Sequence, residues 1–157
     1  MNVTDDPSID STKDQRAQTE SLRPRDRFLQ VRSGGSTGRP KLLLRAPETW
    51  IKSAATEAQV FGITDQERFA VLGHPDHSLW AYAHFRAALH SNPCLGLTRL
   101  NRTALQELQA FEPTVLYGVP ELVGAMANLA VRADEALPSL RLLLLGGGPM
   151  PLLFSDD

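Results

Sequence analysis

From residue 33 to residue 41 the chain reads Ser33-Gly34-Gly35-Ser36-Thr37-Gly38-Arg39-Pro40-Lys41, a run whose residue types suit an oxyanion. Glycine lets the backbone take positive φ and lets a ligand approach closely. Successive free N–H groups in such a turn form an anion-binding nest. Ser33, Ser36 and Thr37 add hydroxyl donors, and Lys41 places a compact positive charge just beyond them. Phosphate binding is the chemistry this set serves. The run differs from the loop in which Gly-Lys-Ser/Thr opens a helix directly. Arg39 and Pro40 separate Gly38 from Lys41, and proline disfavours the helical region for the residue before it. Strand, glycine loop, strand is the expected order, with residues 28–31 before the loop and 42–44 after it. Taken alone, the same cluster also suits a hairpin turn that binds nothing.

Other residues with chemical capacity are fewer. His74 and His77 stand three apart, but Pro75 disfavours a regular helical pair and no third ligand accompanies them, so no metal site is expected. Gly146-Gly147-Gly148 closes an apolar run and serves either a ligand or a strand-ending turn. His84 and His90 are expected on a helix surface. Cys94, between Pro93 and Leu95, is expected to be a buried small residue, and Asp156 and Asp157 a polar end. No Ser-His-Asp or Cys-His arrangement follows from spacing.

The elements that must position these residues can be read from periodicity and punctuation. Pro47 suits the first position of a helix. That helix runs to Phe61, with Trp50, Ile51, Ala54, Ala55, Ala58 and Phe61 near helical spacing, and Gly62 ends it. Residues 64–67 make a capping box or a turn. Residues 68–72 read as a buried strand, 78–89 as a helix and 92–97 as a weak strand. Asn101 caps a helix through Phe111, with Ala104, Leu105, Leu108 and Phe111 on one face. Residues 114–117 form a strand. Pro120 starts a helix striped by Leu122, Val123, Met126 and Leu129, and residues 140–145 form a strongly apolar strand. Strands alternating with helices imply βαβ crossovers and a mainly parallel sheet. Ligands on such sheets sit beyond the carboxyl ends of strands, so the loops after Val31, Leu72, Tyr117 and Leu145 are the candidate positions.

Composition sets the outer limits. The 157 residues are 42% apolar, enough for a core, and carry a net charge of −2, which offers no broad basic field for nucleic acid. Arg23, Arg25 and Arg27 read as a solvated cluster. The single cysteine excludes an intramolecular disulfide. Residues 1–27 are polar and expected to be a disordered arm. They contain no apolar core of a signal peptide, and no apolar run reaches the roughly 20 residues that span a bilayer. A cytoplasmic location is expected.

The glycine run resembles the phosphate-binding signature of the AMP-forming adenylate synthetases, a superfamily of acyl-CoA synthetases, peptide-synthetase adenylation domains and luciferases. Its pattern is Ser/Thr, Ser/Gly, Gly, Ser/Thr, Ser/Thr, Gly, any residue, Pro, Lys, and every specified position matches. Further stretches resemble the family in the same order. Pro75-Asp76-His77-Ser78 is similar to its Pro-x-x-His segment, and residues 115–122 to its strand-to-helix turn with a fixed proline. Residues 137–148 are similar to its Leu-Arg, apolar strand, glycine-pair stretch. The likeness covers residues 28–151, read as a partial AMP-binding domain between the arm and a short tail, 152–157.

The resemblance implies an α/β fold: part of an adenylate-synthetase N-terminal domain, a mainly parallel sheet with flanking helices and the Gly-rich loop between two N-terminal strands. It also implies ATP and Mg2+, with coenzyme A in intact relatives. There, ATP and a carboxylic acid give an acyl-adenylate and pyrophosphate, and a thiol displaces AMP. By position, Ser33, Gly34, Gly35, Ser36, Thr37, Gly38 and Lys41 would serve the ATP phosphates, Lys41 as the catalytic contact. Gly147 and Gly148 would border adenine or the acyl group, and His77 would lie near the acyl pocket. The family's Tyr-Gly-x-Thr-Glu segment, ribose-binding Asp and C-terminal lysine do not occur within these 157 residues. The expectation is an internal slice or truncated descendant. Either it keeps a working phosphate loop without full turnover, or it is a non-catalytic remnant or interaction module. Exposed sheet edges would favour a partner chain or self-association.

Overall fold

The computed structural model describes residues 29–32 and 42–148. The glycine loop at 33–41, the expected polar arm and the expected tail lie outside the described residues.

Strands β1 (Leu29–Arg32) and β2 (Leu42–Arg45) pair antiparallel, from Leu29 opposite Arg45 to Arg32 opposite Leu42. The strands on either side of residues 33–41 therefore meet as a hairpin, in the strand, loop, strand order read from the sequence. Helix α1 (Pro47–Phe61) follows, with Pro47 at its first position and Gly62 in the left-handed region at φ 60°. Its buried face is narrower than the periodicity predicts. Trp50 and Ala54 are buried, whereas Ile51 and Phe61 stay exposed. The reason is its neighbour: Trp50 meets Tyr82 and Phe85 edge-on, each at 5.4 Å, so α1 packs on the following helix through a single aromatic anchor.

Residues 64–67 form a turn, not a helix start: the Gln66 amide donates to Thr64 Oγ1, and the chain then enters β3 (Phe69–Leu72). The remaining order is α2 (Ser78–Ala88), β4 (Cys94–Leu97), α3 (Arg102–Phe111), β5 (Val115–Gly118), α4 (Pro120–Ala133) and β6 (Leu142–Leu145). β3, β4 and β6 begin one or two residues later than their apolar runs suggest, and β5 is shifted by one, because flanking residues use other partners. The Arg68 amide, for instance, donates to Thr114 Oγ1 at 2.9 Å, and the Leu140 amide to the Leu137 carbonyl. Asn101 caps α3 as expected, its Oδ1 accepting from the Ala104 amide at 2.8 Å.

The four strands form one parallel sheet in the order β4-β3-β5-β6, aligned from Phe69 opposite both Cys94 and Val115, and Val115 opposite Leu142. Alternate residues of each strand face opposite ways, and both faces are covered. Phe69, Val71, Val115 and Tyr117 pack with Ala83 and Ala87 of α2. Ala70, Leu72 and Leu116 pack with Leu105 and Leu108 of α3 and with Val123 and Met126 of α4. The result is an α/β/α sandwich of the kind that alternating strands and helices dictate.

Side chains fix the amino-terminal edge of the sheet. Glu67, 5% exposed, receives Arg141 and the Thr114 hydroxyl, while the same guanidinium donates to the Phe61 and Gly62 carbonyls at 3.2 and 3.1 Å. Burial alone would raise the Glu67 carboxyl. The hydrogen bonds from Arg141 and Thr114, with the Arg141 charge, outweigh it and hold the pKa below its ordinary value. On α2, His84 is half-buried and stacked on Trp80 at 5.0 Å, in contrast to the surface position expected for it; His90 is exposed just past the helix end. The Trp80 ring crowds Gly96 of β4, where an added Cβ would fall 2.2 Å from its Cζ2. Among the described residues no helix is long and apolar enough to cross a membrane.

Candidate functional site

At the carboxyl edge of the parallel sheet three strand ends converge. β3 runs into Gly73, β5 into Val119 and β6 into Gly146, whose amide donates to the Gly118 carbonyl at 3.2 Å. Gly147 follows at φ 80°, with Val119 Cγ1 3.3 Å from where its Cβ would be, so both conformation and space favour glycine here. Gly148 is exposed beside Pro120. Leu79, in the first turn of α2, reaches 4.0 Å from the corresponding Cβ position of Gly146.

A cavity of about 330 Å3 opens at this edge, between α1 and α2. Thr49, Trp50, Ser53 and Glu57 line it from α1, and Ser78, Leu79 and Tyr82 from α2. Arg45, the last residue of β2, and Gly147 complete the wall. The volume is at the small end of the roughly 300–1,000 Å3 range of ligand sites. Most of its wall was not singled out from the sequence. Trp50, Ser53 and Glu57 share one side of α1 at spacings of three, four and seven, so a carboxylate sits on a face otherwise read as apolar. That placement was the available signal.

Glu57 is the focus of a buried polar cluster. The Tyr117 hydroxyl donates to Glu57 Oε2 at 2.7 Å, and Arg86 Nε lies 3.9 Å from the same oxygen. Arg86 is 1% exposed, its guanidinium carbon 5.5 Å from the centre of the Phe69 ring, and its Nε and Nη1 have no hydrogen-bond partner. The Tyr82 hydroxyl is buried and likewise unpartnered. Burial first, and then Glu57, pushes both the Tyr82 and Tyr117 phenols well above their ordinary value, so both are protonated at neutral pH and can donate. Burial also pushes the half-buried Cys94 thiol up to about 11, which makes it a poor nucleophile.

The structure brings together some of the residues read from the sequence. Gly147 lies in the cavity wall. His77 caps α2 immediately before Ser78 and Leu79 and is itself exposed. His74 and His77 lie with ring centres 6.1 Å apart, and His74 pairs with Asp76 at 3.6 Å. Among the described residues no group of three His, Cys, Asp or Glu side chains could hold a metal ion. Ser33, Gly34, Gly35, Ser36, Thr37, Gly38 and Lys41 lie outside the described residues; β2, which follows them, ends at the cavity through Arg45. A second cavity, about 260 Å3, lies at the end of edge strand β4 beside Thr98, Arg99 and Glu107.

Comparison with known proteins identifies this arrangement. The 2-succinylbenzoate–CoA ligase of Bacillus subtilis (strain 168) is 27% identical over 126 residues, 80% of this chain and 25% of the ligase. The corresponding ligase of Bacillus velezensis is 26% identical over 126 residues, again 80% and 25%. The chain thus spans about a quarter of the length of the curated relatives it matches. Among solved structures, the B. subtilis o-succinylbenzoate CoA synthetase (MenE) in complex with ATP and magnesium ion aligns with a TM-score of 0.65 at 26% identity. The alignment covers 79% of this chain and 26% of that one. VinN, in complex with L-aspartate, aligns at 0.65 with 19% identity over 92% of this chain and 39% of that one, a likeness of fold alone. The AMP-binding enzyme family matches residues 2–153. With its parallel sheet, its glycine-ended β6 and a family match across nearly its whole length, the chain belongs to the AMP-binding enzymes, the adenylate-forming family of acyl-CoA ligases, and has the architecture of part of their N-terminal domain.

Proposed function

We propose that this chain supplies the nucleotide-phosphate loop and one side of the acid pocket for ATP-dependent activation of a carboxylic acid. The observation that carries the reading is the position of β2. It leads directly out of the Ser33–Lys41 run and ends, at Arg45, in the wall of the cavity that Gly147 also lines. A phosphate loop and an acid cavity joined by one strand suit a reaction in which a carboxylate meets a nucleotide phosphate. Gly34, Gly35 and Gly38 allow the loop its turns, Ser33, Ser36 and Thr37 donate hydroxyls, and Lys41 offsets phosphate charge. Magnesium enters with the triphosphate, whose oxygens and waters suit its octahedral preference. His77, at the start of α2, guards the acid end, and Gly147 and Gly148 give a smooth backbone border for adenine or acyl group. Coenzyme A is the acceptor named for the ligase relatives and the acceptor proposed here.

The adenine, ribose and lysine segments of the family are not among these 157 residues, so the proposed role is binding, with turnover dependent on those segments from elsewhere. Acid-dependent exchange of pyrophosphate into ATP tests this division. The chain alone is expected to show none, and exchange at a measurable rate would contradict it. The second reading, a non-catalytic scaffold or interaction module, predicts no response to ATP at all.

A further inference from the structure

The two edges of the parallel sheet are unequal. β4, at one edge, follows Pro93 and carries Gly96 inside it, and both residues weaken further strand pairing. β6, at the other, is four leucines, and among the described residues no strand pairs on its outer side. It holds no lysine, acidic residue or proline of the kind that ordinarily guards an edge. The Leu142 and Gly146 amides donate to the Thr114 and Gly118 carbonyls, each at 3.2 Å. The alternation of a parallel ladder therefore turns the backbone groups of Leu142 and Leu144 toward β5. Those of Leu143 and Leu145 point outward. Leu142 and Leu144 pack in the cluster under α2, and Leu145 packs in the one under α3 and α4. Leu143 is 39% exposed.

A leucine-only strand is complementary to itself, and the phase of its outward groups selects one way of pairing. In an antiparallel pair, residues whose groups face the partner must stand opposite one another. A two-fold axis through Leu144 sets Leu143 of one copy opposite Leu145 of the other, so all outward N–H and C=O groups of both leucines are paired. An axis through Leu143 would call on the Arg141 amide, which already donates to the Thr114 carbonyl at 3.0 Å. With the axis at Leu144, Arg141 falls opposite Gly147 of the second copy, so no like charges meet. Leu143 is covered by a leucine. We propose that β6 is the docking edge for a second copy of this chain, joined antiparallel about a two-fold axis at Leu144, so that one sheet runs through both copies. Such an isologous contact closes on itself and gives a dimer, not a fibre.

The test is sedimentation velocity over a concentration series of the full 157-residue chain and of Leu143→Lys, with circular dichroism to show that both are folded. Disulfide formation in Leu144→Cys and Leu143→Cys, each in a Cys94→Ser background, reads the register. The wild type is expected to reach twice the monomer mass. Leu143→Lys, which places a charge on each side of the axis at an already exposed position, weakens the dimer at least about tenfold. Leu144→Cys cross-links readily, because the two residues form a non-hydrogen-bonded pair with Cα atoms about 4.5 Å apart, within disulfide reach. Leu143→Cys, facing residue 145 of the second copy, does not. A wild type that is monomeric at every concentration leaves β6 to a strand of another protein or to other residues of this chain, and overturns the proposal. So does a dimer indifferent to Leu143→Lys, or one that cross-links at 143 in preference to 144.

Discussion

Arg141 crosses the amino-terminal edge of the parallel sheet to close on the buried carboxylate of Glu67, 74 residues earlier in the chain. The pair stands at the opposite edge from Gly147 and the cavity, so it holds the frame and leaves the carboxyl edge free for ligands. The Leu-Arg step before β6 is therefore a structural staple for the strand that delivers the glycine pair.

Arg141→Ala leaves a buried carboxylate with only the Thr114 hydroxyl and the Thr64 amide as donors and no positive charge. Breaking a buried pair this way costs about 3 kcal/mol or more; Arg141 is itself 42% exposed, so about 2 kcal/mol is expected in urea unfolding at pH 7. The pH dependence has a definite sign. The folded-state pKa of Glu67 lies below its ordinary 4.5, so its contribution is complete above that value and is lost as the pH falls through the folded pKa. The stability gap between wild type and Glu67→Gln should shrink only below about pH 4.5. A gap that is constant down to pH 3 would rule the staple out.

Trp80 and Gly96 make a second checkable pair. A Cβ at residue 96 would overlap the Trp80 ring, which is held in place by stacking on His84. Gly96→Ala is expected to destabilise by about 2 kcal/mol through overpacking, and the double variant Trp80→Leu/Gly96→Ala to recover most of the loss. Thermal melts of the four proteins in the cycle measure the coupling; additive losses would show that the ring and the glycine do not constrain each other.

Which parts of this fold were legible in the sequence follows from how local their causes are. α1 is marked at both ends by its own residues, Pro47 and Gly62, and α3 by Asn101, so their limits could be read directly. The alternation of strands and helices likewise sufficed for the parallel sheet. Glu67 was not legible as a staple because its partner is distant in sequence; near at hand it offers only a turn with Thr64. The exposure of Ile51 and Phe61 depends on what α1 packs against, which periodicity does not record. The candidate site divides the same way. Gly147 and His77 belong to contiguous motifs, whereas Glu57, Tyr82 and Arg86 become a cluster only when α1 folds over α2.

The two tyrosines of that cluster should behave oppositely. Tyr117, 2% exposed, donates to Glu57, and Tyr117→Phe removes a hydrogen bond to a charged group, a loss of about 1.5–2 kcal/mol. Tyr82→Phe deletes a hydroxyl that has no partner and should be neutral or slightly stabilising. Equal losses in chemical denaturation would mean that the Tyr82 hydroxyl is bonded in the folded chain.

Binding of ATP·Mg2+ to the purified, folded chain, set beside Lys41→Ala, tests the central claim most directly. The account predicts a saturable response in the wild type, read by calorimetry or by an ATP-dependent rise in Tm, that weakens at least about tenfold in the variant as a phosphate contact is lost. A wild-type chain indifferent to ATP, or a response equal in both proteins, would contradict it and leave the glycine loop as a turn inherited with the fold.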